Sequence, residues 1–150
     1  MIYIVLFIAL ILDQITKYWA VVNLKNSVSI NIIDKWLEFS YVENTGVAFG
    51  SFKGYKFLFI ILSIVAFVAI LIYINKYKNK ISLFEKILYI LIATGAIGNC
   101  IDRIRYSFVV DFIHSSLGGL YDFPVFNLAD IYISISCILL IFFSFLKKES

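Results

Sequence analysis

Phe57-Leu58-Phe59-Ile60-Ile61-Leu62-Ser63-Ile64-Val65-Ala66-Phe67-Val68-Ala69-Ile70-Leu71-Ile72-Tyr73-Ile74 carries no charge, and Asn75-Lys76-Tyr77-Lys78-Asn79-Lys80 follows it at once. An uncharged apolar run of this length approaches the roughly 20 residues a helix needs to cross a hydrocarbon core. The lysines behind it mark the cytoplasmic side by the positive-inside rule. A membrane span ending in a basic loop sets the frame for the rest of the chain.

Outward from that stretch, three more spans are predicted. Ser82-Leu83-Phe84-Glu85 opens one that runs to about Ile101, with Ser at N-cap and Glu at N3 forming a capping box. The last covers about 126–146, entered after Pro124, whose fixed φ and missing N–H suit a helix approach. The first runs from Ile2 to about Val22; it lacks the positive n-region and cleavage site of a signal peptide and is expected to be retained. Four spans, about 2–22, 57–74, 83–101 and 126–146, make one membrane-embedded domain over residues 1–150. Lys147 and Lys148 agree with Lys76, Lys78 and Lys80 in placing both termini in the cytoplasm, so the two longer connections face outward.

Composition agrees with a membrane protein. Of 150 residues, 62% are hydrophobic and 15% charged, more apolar surface than a soluble core of this size could hide. A net charge of +3 spread along the chain argues against nucleic acid and reads as topology signal. Cys100 and Cys137 fall in apolar segments without metal or redox spacing and are expected as buried free thiols. Trp19, Trp36, Tyr41, Tyr55 and Tyr106 near span ends resemble an interfacial belt. The first outward connection, 23–55, alternates in Trp36-Leu37-Glu38-Phe39-Ser40-Tyr41 and carries Gly46, Gly50 and Gly54, which predicts short strands and turns. The second, 104–125, contains Asp111, His114 and the turn pair Gly118-Gly119. The fold class is therefore an all-α integral membrane protein of four transmembrane helices with a small extracytoplasmic β-sheet element.

Asp111 in Val109-Val110-Asp111-Phe112-Ile113 and Asp130 in Phe126-Asn127-Leu128-Ala129-Asp130 lie in or beside apolar text, where a carboxylate costs on the order of 2.5–3.5 kcal/mol at mid-membrane. Asp130, four residues past Phe126, is expected about 6 Å inside the outer helix end. Two carboxylates close together do not both ionise cheaply; the pair holds an acid and a base side by side and can activate water without a metal. Blander readings stand beside this one. Asn127 at N-cap with Asp130 at N3 is a helix-start signature, and Asp111 alone reads as a loop acid. Asp13 with Lys17 one turn later reads as a salt bridge or interhelical tether, Asp102-Arg103 as a structural ion pair, and Asn44 as a backbone holder or a turn stabiliser. His114 reaches Asp111 only if that stretch is helical. No Ser/His pair, phosphate loop or metal-ligand cluster is visible, so no cofactor and no metal is expected. Rival readings are a proton-coupled transporter and a noncatalytic assembly subunit.

Taken in order, Asp13-Gln14-Ile15-Thr16-Lys17, Glu43-Asn44-Thr45-Gly46-Val47-Ala48-Phe49-Gly50, Gly98-Asn99-Cys100-Ile101-Asp102-Arg103, Val110-Asp111-Phe112 and Phe126-Asn127-Leu128-Ala129-Asp130 closely resemble the lipoprotein signal peptidases (signal peptidase II). The departures are Val47 and the bulky Ile131-Tyr132. The resemblance implies an intramembrane aspartic endopeptidase of the bacterial cytoplasmic membrane that cuts prolipoproteins on the N-terminal side of a diacylglyceryl-modified cysteine. It assigns the catalytic dyad to Asp111 and Asp130, and substrate-binding or supporting places to Asn44, Gly46, Asn99, Arg103, Asn127 and Asp13. It further implies that the segment before the second span is a β cradle, that the partners are lipidated prolipoproteins and membrane lipids, and that the cyclic peptide globomycin blocks the site, which lies near the extracytoplasmic face.

Overall fold

The computed structural model describes residues 2–46, 55–116 and 118–148. Four helices long and apolar enough to cross a membrane, α1 (Ile2–Leu24), α2 (Lys56–Lys76), α3 (Leu83–Tyr106) and α4 (Leu128–Lys148), pack around α3, which contacts each of the others. Three strands, β1 (Ile30–Ile33), β2 (Leu37–Asn44) and β3 (Val109–Ser115), form one antiparallel sheet in the order β1-β2-β3. Val47, Ala48, Phe49, Gly50 and Gly54 lie outside the described residues.

α3 starts as its sequence predicts: Ser82 Oγ accepts from the Glu85 N–H and Glu85 Oε2 accepts from the Ser82 N–H, which satisfies two orphan donors of the first turn. It runs five residues beyond the expected end near Ile101. Asp102 and Arg103, just past that expected end, are buried within the helix, and what permits this is that each finds polar partners inside the bundle. Ser107 then closes the helix in the left-handed region, φ 71°, with its N–H donating to the Arg103 carbonyl. The chain doubles back as β3 over the last turn of α3.

That third strand is absent from the sequence reading of the 104–125 connection. Its seven residues pair with β2 in a register of Glu38 with His114 and Asn44 with Val109. One extra residue on β2 between Phe39 and Val42 shifts the ladder and sets Asp111 opposite Val42, a bulge of the kind that re-aims side chains. His114 is thus on a strand, where its Nδ1 lies 3.0 Å from Glu38 Oε1, and not one helical turn from Asp111.

The sheet is fastened to the bundle by apolar contact. Val110 and Phe112 of β3 pack on Ala20 and Leu24 of α1, and Trp19, Phe39 and Phe112 meet edge to face at 5.5 to 6.4 Å, geometry worth about 0.5–1.5 kcal/mol per pair beyond burial. A second cluster, Leu6, Ile74 and Ile90, closes the opposite end of the bundle near the lysine loop. Before α4, Phe126 bridges to Ile113, its N–H donating to the Ile113 carbonyl at 2.9 Å. Because Phe126 is spent on that bridge, α4 starts at Leu128, two residues late, and Asp130 sits about 3 Å inside the helix end instead of 6 Å.

Candidate active site

The elements converge on two carboxylates. Asp111 arrives on β3 and Asp130 on the first turn of α4, and Asn127 touches both: its Nδ2 donates to Asp111 Oδ1 at 2.6 Å and its backbone N–H donates to Asp130 Oδ2 at 3.1 Å. Asn127 Oδ1 accepts from the Asp130 N–H, so the helix-start box expected from spacing is formed. The cap and the pairing are one structure, since the residue that caps α4 also ties its acid to β3.

Each acid has a further amide donor. Asn44, diagonal to Asp111 on the same face of the sheet, donates from Nδ2 to Asp111 Oδ2 at 2.8 Å, while its Oδ1 accepts from the Gly46 N–H, so it stabilises the turn and also holds the acid. Asn99 donates from Nδ2 to Asp130 Oδ1 at 2.8 Å. Asp111 is 1% exposed, and its carboxyl is pushed up to about 7, by burial first and by the Asp130 charge second, against the pull of the Asn44 and Asn127 donors.

Arg103 and Asp102 do not form the expected ion pair. Successive residues of a helix point about 100° apart, and the two go separate ways. Arg103 donates from Nη2 to the Gly46 carbonyl at 3.1 Å and lies 5.1 Å from the Phe59 ring centre. Asp102 turns toward α1, where Lys17 Nζ is 3.2 Å from its Oδ2.

Asp13 and Lys17 do pair, at 3.0 Å, but the pair belongs to a larger set that local spacing does not reveal. Lys17 Nζ also donates to Asn99 Oδ1 at 2.8 Å. Gln14 Nε2 reaches Asp13, Asp102 and the Gly98 carbonyl. Thr16 donates to carbonyls of its own helix. Gly98 makes the approach possible, because a Cβ there would collide with Asp13 Oδ2. Among the described residues only Ser136 Oγ is a buried side-chain polar atom without a partner, so this group of buried charges is fully satisfied, the condition under which such a network rigidifies a core.

The two acids open on a cleft of about 840 Å³ between α2, α3 and α4. Asn44, Asn99, Arg103, Asp111 and Asp130 form its polar end; Phe59, Leu62, Ala66, Phe126 and Ile135 belong to its apolar walls. Among the described residues no set of three His, Cys, Asp or Glu is placed to hold a metal. Cys100 is buried and Cys137 only partly so, both free.

The fold and the cleft define a membrane-embedded enzyme. A bacterial membrane enzyme structure obtained by the in meso method superposes with a TM-score of 0.88 at 34% identity, covering 99% of this chain and 89% of that one, and a second such structure gives 0.82 at 34% identity, covering 94% and 90%. The family model for signal peptidase (SPase) II matches residues 5–146. The lipoprotein signal peptidase of Clostridium tetani is 44% identical over 142 residues, 93% of this chain and 89% of that protein; that of Halothermothrix orenii is 41% identical over 149 residues, 99% and 98%. The chain belongs to the lipoprotein signal peptidase (signal peptidase II) family, bacterial membrane peptidases that remove signal peptides from prolipoproteins.

Proposed function

We propose that the protein is an aspartic endopeptidase that hydrolyses the bond on the N-terminal side of a diacylglyceryl-modified cysteine, with Asp111 and Asp130 as the dyad. The observation that carries this reading is the meeting of both carboxylates, joined through Asn127, at the polar end of an apolar cleft. The pair starts with one proton shared between its members, and Asp111, pushed up to about 7, enters as the acid. Asp130 takes a proton from water as the oxygen attacks the scissile carbonyl carbon, and Asp111 gives its proton to the carbonyl oxygen. A gem-diol results. On collapse the C–N bond breaks, Asp130 passes its proton to the leaving amine, and Asp111 recovers one from a gem-diol hydroxyl, which restores the starting state.

Asn44, Asn99 and Asn127 hold the acids in register, and Arg103 with Gly46 offers a polar edge to the substrate backbone. Bound acyl chains remain in lipid; at ~0.8 kcal/mol per buried CH₂ they hold the precursor at the depth of the site. The positive-inside rule, applied to the lysine loop at the far end of the bundle, supports a cytoplasmic side for that end and both termini and an extracytoplasmic side for the dyad and the sheet. The protein forms one domain, and globomycin competes for the cleft.

The test is a gel-shift assay with the purified protein on a diacylglyceryl-modified prolipoprotein, beside Asp111→Asn and an unlipidated precursor. Cleavage by wild type alone, and of the lipidated form alone, is expected. Processing by Asp111→Asn overturns the dyad. Proton flux in liposomes that is lost on Asp130→Asn, without cleavage by wild type, favours a transporter instead.

A further inference from the structure

Behind the two acids lies a second, supporting pair of carboxylates, and the parallel between the pairs is close. Asp13 Oδ1 accepts from the Ala129 N–H at 3.1 Å, and Asp102 Oδ2 accepts from the Val110 N–H at 3.1 Å. Ala129 immediately precedes Asp130, and Val110 immediately precedes Asp111. Each supporting acid therefore grips the backbone one residue before a dyad acid. Both are bound to one cation: the Lys17 ammonium has three N–H donors, and they are met by Asp13, Asp102 and Asn99 at 3.0, 3.2 and 2.8 Å.

The third of these bonds reaches the dyad through a single side chain. An ammonium donates and never accepts, so the Asn99 carbonyl oxygen is held toward Lys17, where Asn127 Nδ2 also donates to it at 3.2 Å. The Asn99 amide nitrogen is then left to face Asp130 Oδ1. Without the cation, the longer Asn127 bond is the one contact left on the Asn99 side-chain oxygen among the described residues, and the amide is held less firmly against Asp130.

We propose that Lys17 is a positioning residue for the reaction, the single cation that fixes the spacing of the Val110–Asp111 and Ala129–Asp130 segments and the orientation of the Asn99 amide. The inference rests on the dyad reading above. It goes beyond a tether between helices, since the bonds Lys17 organises end on the residues beside both acids. The charges that face Lys17 are Asp13 from its own helix and Asp102 from α3; those that act on Asp111 include Asp130 from α4 and Lys17 itself, whose charge favours the ionised carboxylate.

The experiment measures kcat, KM and the pH dependence of cleavage for wild type, Asp111→Asn, Lys17→Met and the double variant Lys17→Met/Asp13→Asn. The double variant removes one charge of each sign, so no additional buried carboxylate is left unbalanced, and the amide that replaces the Asp13 carboxylate keeps a carbonyl oxygen to accept from the Ala129 N–H. Wild-type cleavage lost in Asp111→Asn secures the dyad independently of Lys17. With folding checked by monodispersity and thermal unfolding, the Lys17 variants are expected to lose on the order of 10²-fold in kcat, the cost of a displacement of about 1 Å, with KM within about threefold. In Lys17→Met the alkaline limb of the profile moves up as Asp111 loses a nearby cation. A merely structural role lowers the active fraction at every pH and leaves that midpoint in place. That pattern in Lys17→Met, or kcat within about threefold of wild type in whichever variant folds, overturns the proposal.

Discussion

α2 and α3 are neighbours of similar length and opposite construction. The apolar window of α2 has mean hydropathy 3.2 with 6% of it buried in the protein, whereas that of α3 has 1.5 with 56% buried. In water the more hydrophobic helix would be the inner one. Here hydrocarbon solvates α2, whose Phe57, Ile61, Val65 and Ile72 face outward, and the interior goes to the helix carrying Thr94, Gly95, Gly98, Asn99, Asp102 and Arg103. In lipid no hydrophobic force drives helices together; close packing at small residues and satisfied polar groups do. The polar residues of α3 are thus both its packing surface and its contribution to the site.

The contrast can be broken most severely on the polar side. Asp111→Asn or Asp130→Asn is expected to lower cleavage of lipidated precursor by about 10³-fold or more, while Ile61→Ala on α2 leaves the rate unchanged; rates from a densitometric time course decide it.

Next comes the pH dependence of stability. Burial and the Asp130 charge push the Asp111 carboxyl up to about 7 from an ordinary value of 3.8. Between those values Asp111 binds more proton in the native state than in the unfolded one, so its contribution to stability falls as pH rises from about 4 to about 7 and is level above. Asp111→Asn lacks this loss. Its stability relative to wild type is expected to climb by up to about 4 kcal/mol across that window, read as the difference in unfolding midpoints in detergent at pH 4.5 and 8. A difference that is flat with pH contradicts the assignment of the proton to Asp111. In the same range cleavage by wild type declines above about pH 7, as the acid half of the pair is lost.

Steric changes at the α3 contact surface follow. A Cβ on Gly95 would stand 2.5 Å from the Ala129 carbonyl oxygen and 2.7 Å from Ile133 Cγ1. Gly95→Ala is expected to cost about 1–3 kcal/mol by overpacking, with a lowered unfolding temperature and lowered activity, because α4 carries Asp130 away from Asn99 as it shifts. Smallest is Ile61→Ala on the lipid face, 58% exposed within the protein, for which an unfolding free energy within about 0.5 kcal/mol of wild type is expected in detergent.

The parts of the site that were legible beforehand are those written in local spacing. The Ser82–Glu85 and Asn127–Asp130 boxes follow from i, i+3 patterns, and Asp13–Lys17 from i, i+4. Asp111 and Asp130 stood out because charge in apolar text is costly. What spacing could not supply is which distant backbone N–H groups those side chains meet. The bond from Ala129 to Asp13 joins residues 116 apart, and that from Lys17 to Asn99 joins residues 82 apart, so both depend on helix packing. β3 was missed for a related reason: Val109-Val110-Asp111-Phe112-Ile113 lacks the polar alternation of a half-solvated strand, since one side lies on α1 and the other on the acids and the Phe126 bridge. Lys17 and Asp102 carried a signal, a lysine and an aspartate too deep to be solvated, but nothing in their spacing joined them to the dyad.

The contact between Asp13 and Ala129 also bears on the order in which the chain is made. α1 leaves the ribosome well before α4, and the two paired acids do not coexist until that 21-residue helix has entered the membrane. A nascent chain halted after β3 holds Asp111 without Asp130, and its Asp13 has no amide of Ala129 to receive. On the dyad reading, the chain stays unable to cut a peptide bond until α4 has docked against α1.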